Sequence, residues 1–320
     1  MARFRESRGL DYDDVLLVPQ YSNIESRSKV DISGELTHGI QLNIPVIIAN
    51  MDTVVNQNVI YEAWHMGALG IMHRYEDPEF IFRDIKELDH NYVKPIIPSI
   101  GIGSKQVQLA LRYIATNKIH AINIDIAHGH SLNMCETILA IKKEHPYFPL
   151  IAGNIATPEA AMMLMNAGAD VIKVGIGPGF VCTTRKETGA GYPQLSAIME
   201  IAPVVHEANK HLIADGGIRN CGDIVKALAA GADTVMSGWM FAGSKESGKE
   251  TYRGMASLEA QKNFKGSAKN IEGKCTNVET KGSIKDILQT IKEGIQSGFS
   301  YTGAKDIQTF RSNAEFVIVH

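Results

Sequence analysis

Apolar residues along the chain fall into short β-rich runs, each followed by a segment whose apolar positions recur at helical spacing. IPVIIAN (44–50) is continuous enough for a strand buried on both faces, and NVIYEAWHMG (58–67) then has helical spacing with a glycine stop. The unit recurs: LGIMH (69–73) before a helix at 78–90, KPIIPSIG (94–101) before 104–117, HAINIDIA (120–127) before 131–144, and FPLIAGNI (148–155) before 157–167. DVIKVGIG (170–177) leads through a loop to a helix from about Gln194 to Asn209; LIADGGI (212–218) precedes 221–231, and TVMSGWMF (234–241) is the last strong apolar run. Strands alternating with helices predict a parallel sheet, and eight of them satisfy closure into an α/β (β/α)8 TIM barrel better than an open doubly wound sheet. MGALG, NAGAD and AAGAD each end a helix with glycine and read as C-caps.

Three stretches depart from this rhythm. LDYDDVLLVPQYSNIESRSKVDISGEL (10–36) has short apolar bursts broken by Pro, Ser and Asp, which predicts an extended arm or small hairpin laid over the barrel. From Ala242 to about 282 the chain is polar, lysine-rich and weakly periodic, and reads as a mobile flap beyond the eighth strand. SIKDILQTIKEGIQSGFSYTG (283–303) then predicts an amphipathic closing helix with Ile284, Ile287, Leu288, Ile291 and Ile295 on its core face. Residues 1–320 are expected to form a single catalytic barrel domain.

Composition narrows the function classes. The 320 residues, 44% hydrophobic and 21% charged with net charge -3, suit one barrel and present no basic excess for nucleic acid. No apolar run reaches the roughly 18 residues of a membrane span. The cysteines, Cys135, Cys182, Cys221 and Cys275, form no CxxC pair and follow no secretory apolar region, so neither a disulfide frame nor a cysteine zinc site is expected and a cytoplasmic location is.

The C-terminal ends of barrel strands build the site in this fold. Those ends carry Asn50-Met51-Asp52, His73-Arg74, Gly101, Asp125-Ile126-Ala127-His128, Asn154, a glycine-rich loop with Cys182, Asp215-Gly216-Gly217 and Ser237-Gly238-Trp239. Gly177, Gly179, Gly216, Gly217 and Gly238 follow strands six, seven and eight, where barrels commonly bind phosphate, so a phosphomonoester ligand is expected. Asp215 beside them is placed to accept bonds from ribose hydroxyls, which makes the ligand a nucleotide. Cys182 lies among backbone amides and close to Arg185 and Lys186, a setting that favours thiolate and a covalent nucleophile over an inert thiol. Thr183 or Thr184 either orients a proton-transfer group or satisfies the loop backbone.

GIGPGFVCTTR with ETGAGYPQLSA, together with DYDDVLLVPQYS, NMDTV, DIAHGHS, AGNIAT, IADGGI and YRGMAS, resembles the IMP dehydrogenase/GMP reductase family over about residues 8–315. The resemblance implies a homotetrameric barrel in which Cys182 attacks C2 of a purine nucleoside monophosphate. One branch then passes hydride from IMP to NAD and hydrolyses the intermediate; the other releases ammonia from GMP and takes hydride from NADPH to give IMP. The second branch is expected here. The link from His73 to Lys94 leaves no room for the CBS-domain pair usual in the first, and residues 257–272 contain neither the Arg nor the Tyr that its hydrolysis uses. NMDTV and KNIEGK also resemble the reductase form, whereas YRGM has a dehydrogenase flavour.

By the same resemblance Cys182 is the nucleophile, and Thr184 with Glu272 forms the proton-transfer pair. Phosphate is expected on Gly217, Gly238 and Trp239 with Phe180 and Tyr252 nearby, Phe180 replacing the family's usual serine. Asp215 would hold the ribose, Met255, Ala256, Ser257 and Lys269 the base, with Gly216 and Met51 also on the substrate. The nicotinamide is expected near Asp125, Ile126, Ala127, Asn154 and Lys173, and a potassium ion on the carbonyls of Gly177, Gly179 and Cys182, the need for which stays open. The runner-up is an IMP dehydrogenase without CBS domains. An FMN-dependent barrel oxidoreductase, or a non-catalytic nucleotide-binding protein, would use the same phosphate region.

Overall fold

The computed structural model describes residues 8–87 and 95–319. The eight apolar runs become β1 (Val46–Ile48), β2 (Leu69–Gly70), β3 (Ser99–Ile100), β4 (Ile122–Asp125), β5 (Leu150–Ile155), β6 (Val171–Val174), β7 (His211–Asp215) and β8 (Thr234–Ser237). They form one parallel sheet in the order β2-β1-β8-β7-β6-β5-β4-β3. A parallel bridge between Met72 and Pro98 closes it, Met72 N–H donating to Ile97 (3.2 Å) and Ser99 N–H to Met72 (3.1 Å). Around it stand α1 (Gln57–His65), α2 (Pro78–Glu87), α3 (Ser104–Ile114), α4 (Leu132–Glu144), α5 (Pro158–Ala167), α6 (Gln194–Glu207), α7 (Cys221–Ala229) and α8 (Ile284–Tyr301). The molecule is an α/β barrel, and no helix among its described residues is long and apolar enough to cross a membrane.

The strands are shorter than the apolar runs, because parallel pairing ends where the chain turns outward while burial continues into the turns. Lys94, in the third expected strand, and residues 88–90, in the second expected helix, lie outside the described residues. Gly67, Gly168 and Gly231 have φ of 80°, 112° and 114° at or just past helix ends, the left-handed conformation expected of these caps.

Side-chain alternation sorts the core into two layers. Val46, Ile48, Leu150, Ala152, Ile172, Val174, Leu212 and Ala214 face the helices, whereas Ile47, Leu69, Ile151, Val171, Ile213 and Met236 point into the barrel. The lower end of that interior is plugged by an antiparallel hairpin, Gly34–Thr37 with Ile40–Leu42, whose Leu36, Ile40 and Leu42 join the inner cluster. Gly34 is required there: a Cβ would lie 2.6 Å from the Asp233 carbonyl.

The arm preceding the hairpin is extended and pairs Val15–Leu17 with a C-terminal strand, Phe316–Ile318, which the sequence pattern does not announce. The flap also has more structure than its polarity predicts. Thr251–Arg253 pairs antiparallel with Cys275–Asn277, and the helix Leu258–Lys265 lies between them. Three-residue strands are too short to display a period, so the pattern alone misses them.

Candidate active site

The upper mouth of the barrel holds a cavity of about 420 Å³. Its floor comes from alternation carried one layer above the apolar interior. Lys173 sits two residues after inward-facing Val171, and Asp125 and Asp215 end β4 and β7. Only 2% of the Lys173 side chain is exposed, and its three N–H groups meet three acceptors: Asp125 Oδ1 at 2.7 Å, Asp215 Oδ2 at 3.0 Å and Asn154 Oδ1. Asn154 Nδ2 completes the net by donating to Asp215 Oδ2 (2.9 Å) and the Gly175 carbonyl (2.8 Å).

Burial by itself would lower the Lys173 pKa, but the two carboxylates outweigh it and hold the ammonium charged well above its ordinary value. Burial likewise opposes ionisation of Asp125, and the charge and hydrogen bond of Lys173 outweigh it, keeping that carboxyl below its usual range. Lys173, expected beside a nicotinamide, is therefore a saturated strut within the cavity floor, with no N–H left over.

Above the floor the glycine-rich loop and the flap meet. Thr183 N–H donates to the Glu272 carbonyl (3.0 Å) and Lys274 N–H to the Val181 carbonyl (2.9 Å), around an antiparallel bridge between Cys182 and Gly273. Gly254 and Gly273 cross so closely that a Cβ on Gly254 would lie 3.2 Å from the Gly273 Cα. This stitching carries a residue 90 positions away to the cysteine. Cys182 Sγ donates to Thr184 Oγ1 (3.2 Å), which donates to Glu272 Oε2 (2.8 Å). Thr184 thus joins thiol to carboxylate, whereas the Thr183 side chain makes no capping bond to the short helix it precedes.

Arg185, expected to give the cysteine a positive setting, packs against Gly177 of the same loop. It donates to Asp11 Oδ2 (3.1 Å) and to the Tyr192 carbonyl (2.6 Å), so its charge is met by the arm.

Cys182, Thr184 and Glu272 line the cavity together with Asp215, Tyr252, Met255, Ala256, Lys269, Met51, Asp125, Ile126, Ala127, Asn154, Lys173, Gly177 and Gly179. Burial, added to by Asp215 and Cys182, raises the Tyr252 pKa and keeps its hydroxyl protonated. Gly238 packs behind: a Cβ there would lie 2.6 Å from the Met51 sulfur and 2.7 Å from the Tyr252 hydroxyl.

Other expected residues stand elsewhere. Gly217 and Phe180 line a neighbouring cavity of about 220 Å³ with Tyr12 and Arg219, and Gly216 packs on Pro178. Trp239 stacks on Phe180 with ring centres 4.0 Å apart, under the ammonium of Lys281 (4.1 Å). Ser257, expected on the base, is wholly buried; it caps the flap helix by accepting from Ala260 N–H, so it does not reach the cavity.

Tyr75, Gln261 and Asn270 line the cavity but escaped the sequence analysis. Tyr75 follows the strand-end pair His73-Arg74 directly, and that adjacency was the available signal. It stacks flat on Phe264 (4.7 Å, 6°), while Arg253 pairs with Asp52, so the flap is fastened to the loops after β2 and β1.

Comparison with known proteins agrees with this fold. The family model described as "IMP dehydrogenase / GMP reductase domain" matches residues 9–320. The GMP reductase of Lysinibacillus sphaericus (strain C3-41) is 42% identical, covering 97% of this chain and 95% of that protein. The inosine-5'-monophosphate dehydrogenase of Borreliella burgdorferi is 35% identical, covering 96% and 93%. A crystal structure of a cysteine-to-alanine variant of the GMP reductase from Trypanosoma brucei, in complex with guanosine 5'-monophosphate, superposes with a TM-score of 0.88 at 26% identity, over 98% of this chain and 96% of that one.

Proposed function

Because the chain belongs to the IMP dehydrogenase/GMP reductase family, we propose that it is a GMP reductase, converting GMP to IMP and ammonia with NADPH through a covalent bond from Cys182 to purine C2. The observation that carries this reading is the continuous Cys182–Thr184–Glu272 hydrogen-bond chain at the cavity wall. The reductase match runs over 324 aligned positions and the dehydrogenase match over 379, so the former fits this 320-residue chain with far fewer inserted positions.

Cys182 Sγ adds to C2 as its proton passes toward Thr184 and Glu272. The carboxyl returns that proton through Thr184 to the departing nitrogen, and ammonia leaves when the C2–N bond breaks. A neutral amine leaves far more readily than an amide ion, which is why the chain must end in a group that titrates. NADPH, when bound, supplies a hydride equivalent at C2, and the C2–S bond then breaks to return the thiolate.

Ile126 and Ala127 give the cavity an apolar edge beside Arg74 and Tyr75, an opening that suits a flat ring with a charged tail leading outward. Asp215 can accept from ribose hydroxyls through Oδ1, because the network bonds fall on Oδ2. Met255, Ala256 and Lys269 would face the base, and Gly217 and Phe180 would face phosphate from the neighbouring cavity. The carbonyls of Gly177, Gly179 and Cys182 would hold a potassium ion, although that of Gly179 already accepts from Cys182 N–H (3.0 Å). The working form is a cytoplasmic homotetramer.

Two assays test the reaction. With GMP and NADPH the reduced-cofactor absorbance falls and IMP and ammonia appear in equal amounts; with IMP and NAD no absorbance develops. XMP formation in the second assay would show dehydrogenase activity and overturn the reading. For the relay, Glu272→Gln lowers turnover by roughly 10²-fold or more while GMP binding changes little, since a carboxamide accepts the Thr184 hydroxyl but cannot carry its proton. Turnover at the parent rate would remove Glu272 from the mechanism.

A further inference from the structure

At the end of the barrel opposite the cavity, the plug hairpin and the start of β7 bring together two imidazoles and a carboxylate. We propose that Glu35, His38 and His211 bind one divalent transition-metal ion of the zinc class, which fastens the hairpin to the barrel wall. Their ligand atoms all lie within 4.8 Å of one another, the one such group of His, Cys, Asp or Glu among the described residues. His38 Nδ1 is 3.5 Å from Glu35 Oε1, close to the ~3.3 Å between donors on a tetrahedral ion with ligands at 2.0–2.2 Å. Two imidazoles and a carboxylate form a borderline donor set, preferred by zinc, cobalt and nickel over magnesium or calcium.

The surroundings favour a ligand role for His211. Its ring meets that of His38 edge to face, with ring centres 5.8 Å apart. Its Nδ1 stands 4.0 Å from Asp233 Oδ2. Asp233 is itself fixed by Arg311 (2.9 Å), the Leu212 amide (2.7 Å) and His206 (3.2 Å), and stands beside the His211 ring as a charged neighbour without hydrogen-bonding it. Glu35 and His38 lie outward, with side chains 45% and 76% exposed, leaving an entry path and a fourth position for water.

The consequence is structural. Leu36, Ile40 and Leu42 of the same hairpin seal the inner core, and an ion that joins Glu35 and His38 to His211 ties this seal to β7. Binding to the folded state alone raises the melting temperature with metal concentration and leaves turnover unchanged.

The test is calorimetric titration of the whole protein with Zn²⁺ in a Cys182→Ala background, where the proposed nucleophile cannot compete, paired with melting curves over the same range. One equivalent binds, and the melting temperature rises with it. His38→Ala, Glu35→Gln and His211→Gln each weaken that binding at least tenfold and remove the metal-dependent shift. His38 and Glu35 are exposed, so their variants fold even if the His211 variant does not. Weakening of tenfold or more in both exposed variants sustains the site; a smaller effect in either, or no saturable binding, overturns it.

Discussion

Cys182→Ala is expected to lower GMP turnover by at least about 10³-fold while GMP binding stays within a few-fold of the parent. In the proposed mechanism the sulfur is the atom that bonds to C2, so its removal deletes a step. Few ground-state contacts go with it, because the cavity is walled by many other groups and the methyl of alanine keeps the loop geometry. That loop is held by backbone bonds, Cys182 N–H to the Gly179 carbonyl and Thr183 N–H to the Glu272 carbonyl, which the substitution leaves intact. Steady-state turnover with a separate binding titration checks both halves. Substantial residual turnover would end the covalent reading, and lost binding would point to a collapsed loop instead.

Lys173→Met is expected to cost about 3–5 kcal/mol of stability, the range for breaking a buried ion pair by removing one partner. The methionine fills similar space, so the loss is electrostatic: Asp125 and Asp215 are left facing each other across the barrel with no cation between them. The denaturation midpoint in urea measures it, and neutralising both carboxylates as Asn in the same protein should recover a good part of the loss. An unchanged midpoint would mean that water or relaxation replaces the ammonium.

The network also sets a pH window. Asp125 is lowered, so its contribution is complete above the unfolded carboxylate value of about 4 and is lost as pH falls through the folded value. Lys173 is raised, so its contribution is complete below about 10 and is lost only as pH rises through a still higher folded value. The parent's network stability is therefore flat across the neutral range. In Lys173→Met burial of Asp125 is no longer offset by the ammonium, so that carboxyl favours protonation, and lowering the pH toward 4 stabilises the variant relative to the parent.

These predictions depend on features of different legibility. The barrel was readable because each strand is buried on both faces and each helix on one, so the two periods alternate eight times along the chain. Cys182 stood out because its glycine-rich loop follows a strand end, where the other polar and glycine-rich groups of the chain also collect. A small hairpin was one of two readings of the N-terminal segment, but its position at 34–42 and the Phe316–Ile318 strand were not legible, since three- and four-residue strands carry no measurable period. Ser257 was read toward the base because a helix-capping hydroxyl and a ligand-binding hydroxyl look alike until burial is known.

By itself, then, the sequence determined the eight strand–helix units, the end of the barrel at which polar and glycine-rich groups collect, and the cysteine that stands among them. Those are local properties, written in spacing and residue type. Only the tertiary structure decided that Lys173 is a buried strut and that Arg185 answers to Asp11. It also decided that Glu272 reaches Thr184, and that Glu35 and His38 meet His211. Each of these joins residues far apart in the chain, and their distances are set by closure of the sheet and by backbone pairing of the flap, which no local pattern encodes.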